Sequence, residues 1–224
     1  MSYKVGYEDV LTLPTYSEYS LITADLSPFT DHDYCVTVNI TPDIEGTCSK
    51  KKEEEAQTGC VWGRPGQHMG LFIDFNFKRF VFAWFEEVDG ETVYKNIISE
   101  EGKVTQEPTT ISILKNSGEK TFKMFINGEI ETTGFYGDLK SYTGTPIYLG
   151  VGNLDENAFP YNDKLQATYH NFSINNTHMY NTKLDGSTLV YLDFEEENTT
   201  YYSIYDISKN GNRARINHHK YDYK

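Results

Sequence analysis

Cysteine is scarce in this chain. Cys35, Cys48 and Cys60 are the only three in 224 residues, and no two stand in CxxC spacing. An odd, loosely spaced set builds no disulfide framework and reads as reduced, buried thiols. Positive charge is also short: 20 Lys and Arg stand against 33 Asp and Glu, for a formal net charge of −13. A surface without basic excess has nothing with which to displace counterions, which excludes nucleic acid as a partner. The same sign opposes binding to anionic membranes. No apolar run approaches the length of a membrane-crossing helix, so no membrane insertion is expected. The opening MSYKVGYEDVL has neither a basic start nor an apolar run, and no signal peptide is expected from it. The sequons at Asn39, Asn171, Asn175 and Asn198 then read as incidental. No glycine-rich loop of the phosphate-binding kind follows a strand. The six histidines show no zinc spacing: His218 and His219 are adjacent, and His68 stands alone.

Aromatic residues are plentiful instead. They make up 15% of the chain, with 18 tyrosines, and apolar residues reach 38%, enough for a sizeable core. Tyrosine suits half-buried pleated surfaces, and it suits recognition surfaces through its large area and polar tip. The length fits one all-β domain over residues 1–224, with a core at about 30–182 and a segment 183–224 that completes or extends it.

Alternation and turn signals organise this domain. Phe122, Met124 and Ile126 alternate with polar neighbours, and Asn127-Gly128 supplies the two positive-φ residues of a type I′ hairpin before Glu129, Ile130 and Glu131 return. Asp33 to Pro42 is a strand ended by Pro42. The segment from Asp43 to Thr58, with its mixed charge run Lys50 to Glu55, reads as solvated loop or short exposed helix, without convincing caps. Residues 1–30 read as edge strands and loop. A strand opens at Cys60 to Trp62 and meets the turn composition Gly63-Arg64-Pro65-Gly66. Gly70 to Phe77 sets Leu71, Ile73, Phe75 and Phe77 on one face. Further strands are expected at Thr92 to Ile98, Thr109 to Leu114, Thr145 to Gly150, Leu165 to Ile174, Leu189 to Phe194 and Arg213 to Ile216. Strands recurring about every ten residues between turn signals predict a two-sheet antiparallel jelly-roll sandwich.

One strand departs from simple alternation. Arg79 to Glu86, RFVFAWFE, is apolar on both faces, Phe80, Phe82 and Trp84 against Val81, Ala83 and Phe85. Such a strand needs cover twice. One cover is a second sheet or a loop of the chain; the other is a ligand or a neighbouring subunit. The expectation is that Trp84 is buried in the functional state, and the Phe80/Phe82/Trp84 face is the one whose cover is in question.

Three segments carry a family likeness: DYCVTVNITPD, then TISILKNSGEKTFKMFINGEIE, then PIYLGVGNLDENAFPYNDKLQATYHNFSINNTHMYN. Their order resembles laminin-G-like jelly rolls of the concanavalin A-like lectin/glucanase superfamily, over about Asp33 to Asn181. The resemblance implies two antiparallel sheets and carbohydrate recognition. Two departures stand out. Gln166 and Ala167 occupy a place where a glycine is common, and Asp206 to Asn212, DISKNGN, sits near the end of the chain rather than the start. The last strand beside the first would let that phrase serve the same local turn.

The superfamily includes glycosidases, which need two carboxylates about 5 Å apart for retention. Glu87, Asp89 and Glu91 have the spacing for one strand face, yet Asp89-Gly90 reads as a turn that splays them into solvent. No catalytic residue is therefore assigned, and the chain is read as not an enzyme. Glycan binding needs an aromatic platform flanked by groups for hydroxyls. Trp62, Arg64 and His68 form one such candidate; Asp155, Asn157, Tyr161 and Asn162 form another. Asp155, Asn157 and Asp163 are the candidate oxygens of a calcium cage, the alternative being a solvated acidic loop. The expected partner is a glycan, or neighbouring protein subunits in a structural assembly, and the expected setting is a virion surface rather than the cytoplasm.

Overall fold

The structure is a computed structural model that describes residues 3–5, 9–12, 32–50, 57–64, 69–140, 147–150, 164–194, 203–208 and 213–218. Two antiparallel sheets face each other. In the first, β1 (Tyr3–Val5), β12 (Ala167–Asn175), β3 (Tyr34–Pro42), β8 (Thr109–Asn116), β9 (Thr121–Ile126) and β10 (Glu129–Phe135) lie in that order, and β13 (Thr188–Asp193) also pairs with β12. In the second the order is β14 (Ser203–Tyr205), β15 (Arg213–His218), β2 (Asp9–Thr12), β11 (Tyr148–Leu149), β4 (Thr58–Arg64), β5 (Met69–Asp74), β6 (Arg79–Val88) and β7 (Glu91–Ile98). This is the jelly-roll sandwich that the alternation predicts.

The hairpins form where the turn chemistry demands. Asn127 and Gly128 take φ of 51° and 90°, and Asp89 and Gly90 take 53° and 83°. Both pairs thus have the two positive-φ residues of a type I′ turn, whose twist matches that of the flanking strands. Asn127 is further fixed through its Oδ1, which accepts from the Thr110 amide at 3.0 Å.

Every second residue of the central strands points into one continuous core. Val36, Val38 and Ile40 of β3 meet Ile111 and Ile113 of β8 and Phe122 and Met124 of β9 in the first sheet; Leu71, Ile73, Phe80, Phe82 and Trp84 come from the second. Lys115 continues the inward row of β8 and is fully buried. Its ammonium donates to the His32 carbonyl at 2.9 Å and to Ser117 Oγ at 3.2 Å, the hydrogen bonds a buried cation requires.

Several local expectations are corrected. A short helix, α1 (Ile44–Lys50), does carry a cap: Asp43 Oδ1 accepts from the Gly46 amide at 2.8 Å. Gln166 Nε2 holds the other oxygen of Asp43 at 2.6 Å, which ties the helix to the start of β12. The charge run beyond Lys50 lies outside the described residues. The strand beginning near Gly70 stops at Asp74, whose Oδ1 accepts the Asn76 amide at 3.1 Å and starts a turn. Phe77 therefore leaves the row of Leu71, Ile73 and Phe75 and is 45% exposed. β2 is an interior strand, not an edge, because β15 pairs along it from Arg215↔Thr12 to His218↔Asp9. The last strand thus does lie beside one of the first. Asp206 serves as a staple there: its Oδ1 accepts from the Tyr191 amide and the Ser208 amide, each at 2.8 Å. That links β13 of one sheet to the chain leaving β14 of the other.

Candidate functional site

Strand β6 decides which apolar surface is left outside the core. Its inward residues are spent on the core. Phe82 lies 4.9 Å from Phe122 by ring centroid, Trp84 lies 4.9 Å from the same ring, and Phe122 lies 4.9 Å from Tyr136. Trp84 is 1% exposed, and its indole N–H donates to Glu86 Oε1 at 2.8 Å. The opposite sheet is the cover for Phe80, Phe82 and Trp84, so that face takes neither a ligand nor a subunit.

Val81, Ala83 and Phe85 face the other way; Val81 and Phe85 are half-buried and Ala83 is 2% exposed, so this side opens to solvent mainly over β7. Register builds three rows across it. Val81 lies between Phe72 of β5 and Ile98 of β7, Ala83 between Gly70 and Asn96, and Phe85 opposite Tyr94. Tyr94 is 50% exposed and packs edge-on against Phe85 at 5.4 Å; Ile98 is 37% exposed. Asn96 and Thr92 are exposed beside them. Gly70 makes room for its neighbour: a Cβ there would come within 3.2 Å of Phe72 Cε2 and 2.6 Å of the Trp62 carbonyl oxygen. The Phe72 ring thus lies over Gly70 along the sheet.

The rim of this face is polar. Residues 138–140 run beside the far end of β6, with the Lys140 amide donating to the Phe85 carbonyl at 3.0 Å and the Glu87 amide to the Asp138 carbonyl at 2.9 Å. Lys140 Nζ then reaches Thr92 Oγ1 at 3.1 Å. At the other end Arg79 pairs with Asp74 at 2.9 Å, so these opposite charges cancel locally.

Among the described residues of this face the carboxylates do not converge. Glu87, Asp89 and Glu91 are exposed around the type I′ turn. Glu86 points inward, where its Oε1 also accepts the Gly137 amide at 3.0 Å and so ties β6 to the chain leaving β10. Asp74 stands opposite Arg79 in register, eight residues along β6 from Glu87; that is roughly 26 Å at strand rise.

The residues singled out from sequence fare differently. Trp62 is fully buried, 5.9 Å from Phe82, in the core between the sheets, and presents no ring face to a ligand. The cause is the β-bulge between Cys60 and Trp62, which sets Trp62 opposite the core residue Leu71. Arg64 ends β4 opposite Met69. His68, Asp155, Asn157, Tyr161, Asn162 and Asp163 lie outside the described residues. The face formed by Phe72, Phe85, Tyr94 and Asn96 is a candidate that the sequence reading did not name. Its only signal in the sequence is the second apolar face of β6; its partners on β5 and β7 are fixed by register.

No protein-family model and no curated protein matches this chain. Solved structures do. A candidate carbohydrate binding protein from Bacteroides ovatus superposes with a TM-score of 0.62 at 9% identity, over 98% of this chain and 60% of that one. The CBM40 of the Ruminococcus gnavus IT-sialidase, bound to α2,3 sialyllactose, gives a TM-score of 0.55 at 14% identity over 80% of this chain and 91% of that one. The NanB sialidase from Streptococcus pneumoniae gives 0.51 at 13% identity, over 90% of this chain but 30% of the enzyme. At such identities the likeness is one of fold: this chain is a β-sandwich of the kind found in those proteins.

Proposed function

We propose that this chain is a non-enzymatic carbohydrate-recognition module that binds a glycan on the solvent side of β5, β6 and β7. The observation that carries the reading is the apolar and aromatic surface of Val81, Phe85, Tyr94 and Ile98 on the side of β6 turned away from the core. A sugar offers C–H faces to such rings and hydroxyls to an amide such as Asn96, which is the chemistry required of a saccharide site. The similarity in fold to a CBM40 bound to sialyllactose supports the same reading. The laminin-G-like assignment within the jelly rolls is supported by the order strand, turn, strand, Asn-Gly hairpin from Thr109 to Phe135. A setting on a virion or cell surface belongs to the same proposal and rests on the acidic, tyrosine-rich composition.

The placement of the described carboxylates supports recognition without hydrolysis. A glycosidase pair stands between about 5 and 9.5 Å apart, whereas Asp74 and Glu87 sit at opposite ends of the face and Glu86 is committed inward. A glycan array with the pure protein tests the reading. Binding is expected, and Tyr94→Ala should weaken it about tenfold or more, as removal of an aromatic anchor does. Light scattering of the same sample separates the alternative, in which the jelly roll is structural and a neighbouring subunit covers this face. Absence of glycan binding together with a multimeric mass that Tyr94→Ala dissociates favours the subunit. Reducing ends released from a β-glucan, and abolished by Glu87→Gln, would overturn the non-enzymatic assignment.

A further inference from the structure

We infer that the ligand of this face is a linear oligosaccharide at least three rings long, lying along β6 and β7, an inference that rests on the carbohydrate reading above. The argument is one of register. Val81 with Ile98 makes one apolar row, Ala83 with Asn96 the next, and Phe85 with Tyr94 the third. Successive rows are two residues apart, so the outer two are separated by roughly 13 Å at strand rise. A single pyranose cannot touch both, whereas a chain of about three linked rings can.

The chemistry of the rows matches such a chain. The two outer rows are apolar, with Ile98 37% and Tyr94 50% exposed. In the middle row Ala83 is buried, and the exposed group is the Asn96 amide. An amide offers both donor and acceptor. A saccharide laid along the strands presents ring faces to the first and third rows and hydroxyl edges to the amide between them. Among the described residues β7 is the outermost strand of its sheet, so no further described strand bounds the face on that side.

The test is titration calorimetry with ladders of cello-, manno- and xylo-oligosaccharides from one to six rings. Affinity should rise at least tenfold between one ring and three on a ladder that binds, then level off. Tyr94→Ala and Ile98→Ala, both at exposed positions, should each return three-ring affinity toward the one-ring value, and Asn96→Ala should weaken three rings more than one. An unchanged thermal midpoint certifies each variant's fold. Equal affinity for one ring and three, lost on Tyr94→Ala but indifferent to Ile98→Ala, overturns the inference and leaves the carbohydrate reading standing. Failure of every ladder, together with an empty glycan array, overturns both.

Discussion

Single residues set the turns and the few buried polar contacts on which the sandwich depends. Gly128 sits at a φ of 90°, where only glycine is free of steric cost. Gly128→Val should therefore destabilise the fold by about 1 kcal/mol or more. Chemical denaturation checks this; an unchanged midpoint with an unchanged m-value would mean that the hairpin tolerates a branched residue there. His170 gives a pH effect. It lies at the bulge of β12, and its Nε2 is 2.9 Å from Thr41 Oγ1. Burial pushes its pKa below the ordinary imidazole value. The folded state thus binds fewer protons than the unfolded one, which titrates near pH 6.5. The contribution to stability is present above about pH 6.5 and is lost as pH falls through the folded pKa. His170→Gln should flatten that part of the stability-versus-pH curve. A variant curve parallel to the wild type between pH 7 and 5 would show that the imidazole does not contribute.

Strand β6 carries the most information at the scale of elements. Its double apolar character is legible in RFVFAWFE. The sequence leaves open which face meets the opposite sheet, since alternation separates two faces without saying what covers either. The answer came from β9, whose Phe122 packs on both Phe82 and Trp84. A fluorescence prediction follows. In Trp62→Phe protein the remaining emission comes from Trp84, which is 1% exposed. It should be blue-shifted and poorly quenched by acrylamide at every protein concentration, because the cover is the chain's own sheet. Emission that turns blue only as concentration rises would assign the cover to another subunit.

The two ends of the chain close the second sheet together. β15 pairs with β2, and β11 on the other side of β2 is only two residues long. Deleting residues 203–224 would strip β14 and β15, remove the Asp206 staple on Tyr191, and leave β2 as an unpaired edge. Exposed edges template association. The truncated protein should melt at least several degrees lower and self-associate, as read by thermal denaturation with light scattering. An intact midpoint with a monomeric mass would show that the terminal strands are dispensable.

The sequence by itself determined most of the strands, the Asn127-Gly128 type I′ hairpin, the turn at Asp89-Gly90 and the sandwich class, because these rest on contacts between neighbours in the chain: alternation, Asn-Gly, Asp-Gly and a terminating proline. It determined too that one strand would have apolar residues to spare. Only the tertiary structure decided where those residues go. Trp62 has the composition of a ligand platform but enters the core, since a bulge resets its face and Leu71 and Phe82 receive it. Tyr94 and Asn96 carry no sequence signal of a site and join the proposed face by standing opposite Phe85 and Ala83. Register between strands is fixed by packing across the sandwich, and a one-residue shift turns every side chain over. A face assembled from three strands is therefore visible only after the sheets have met.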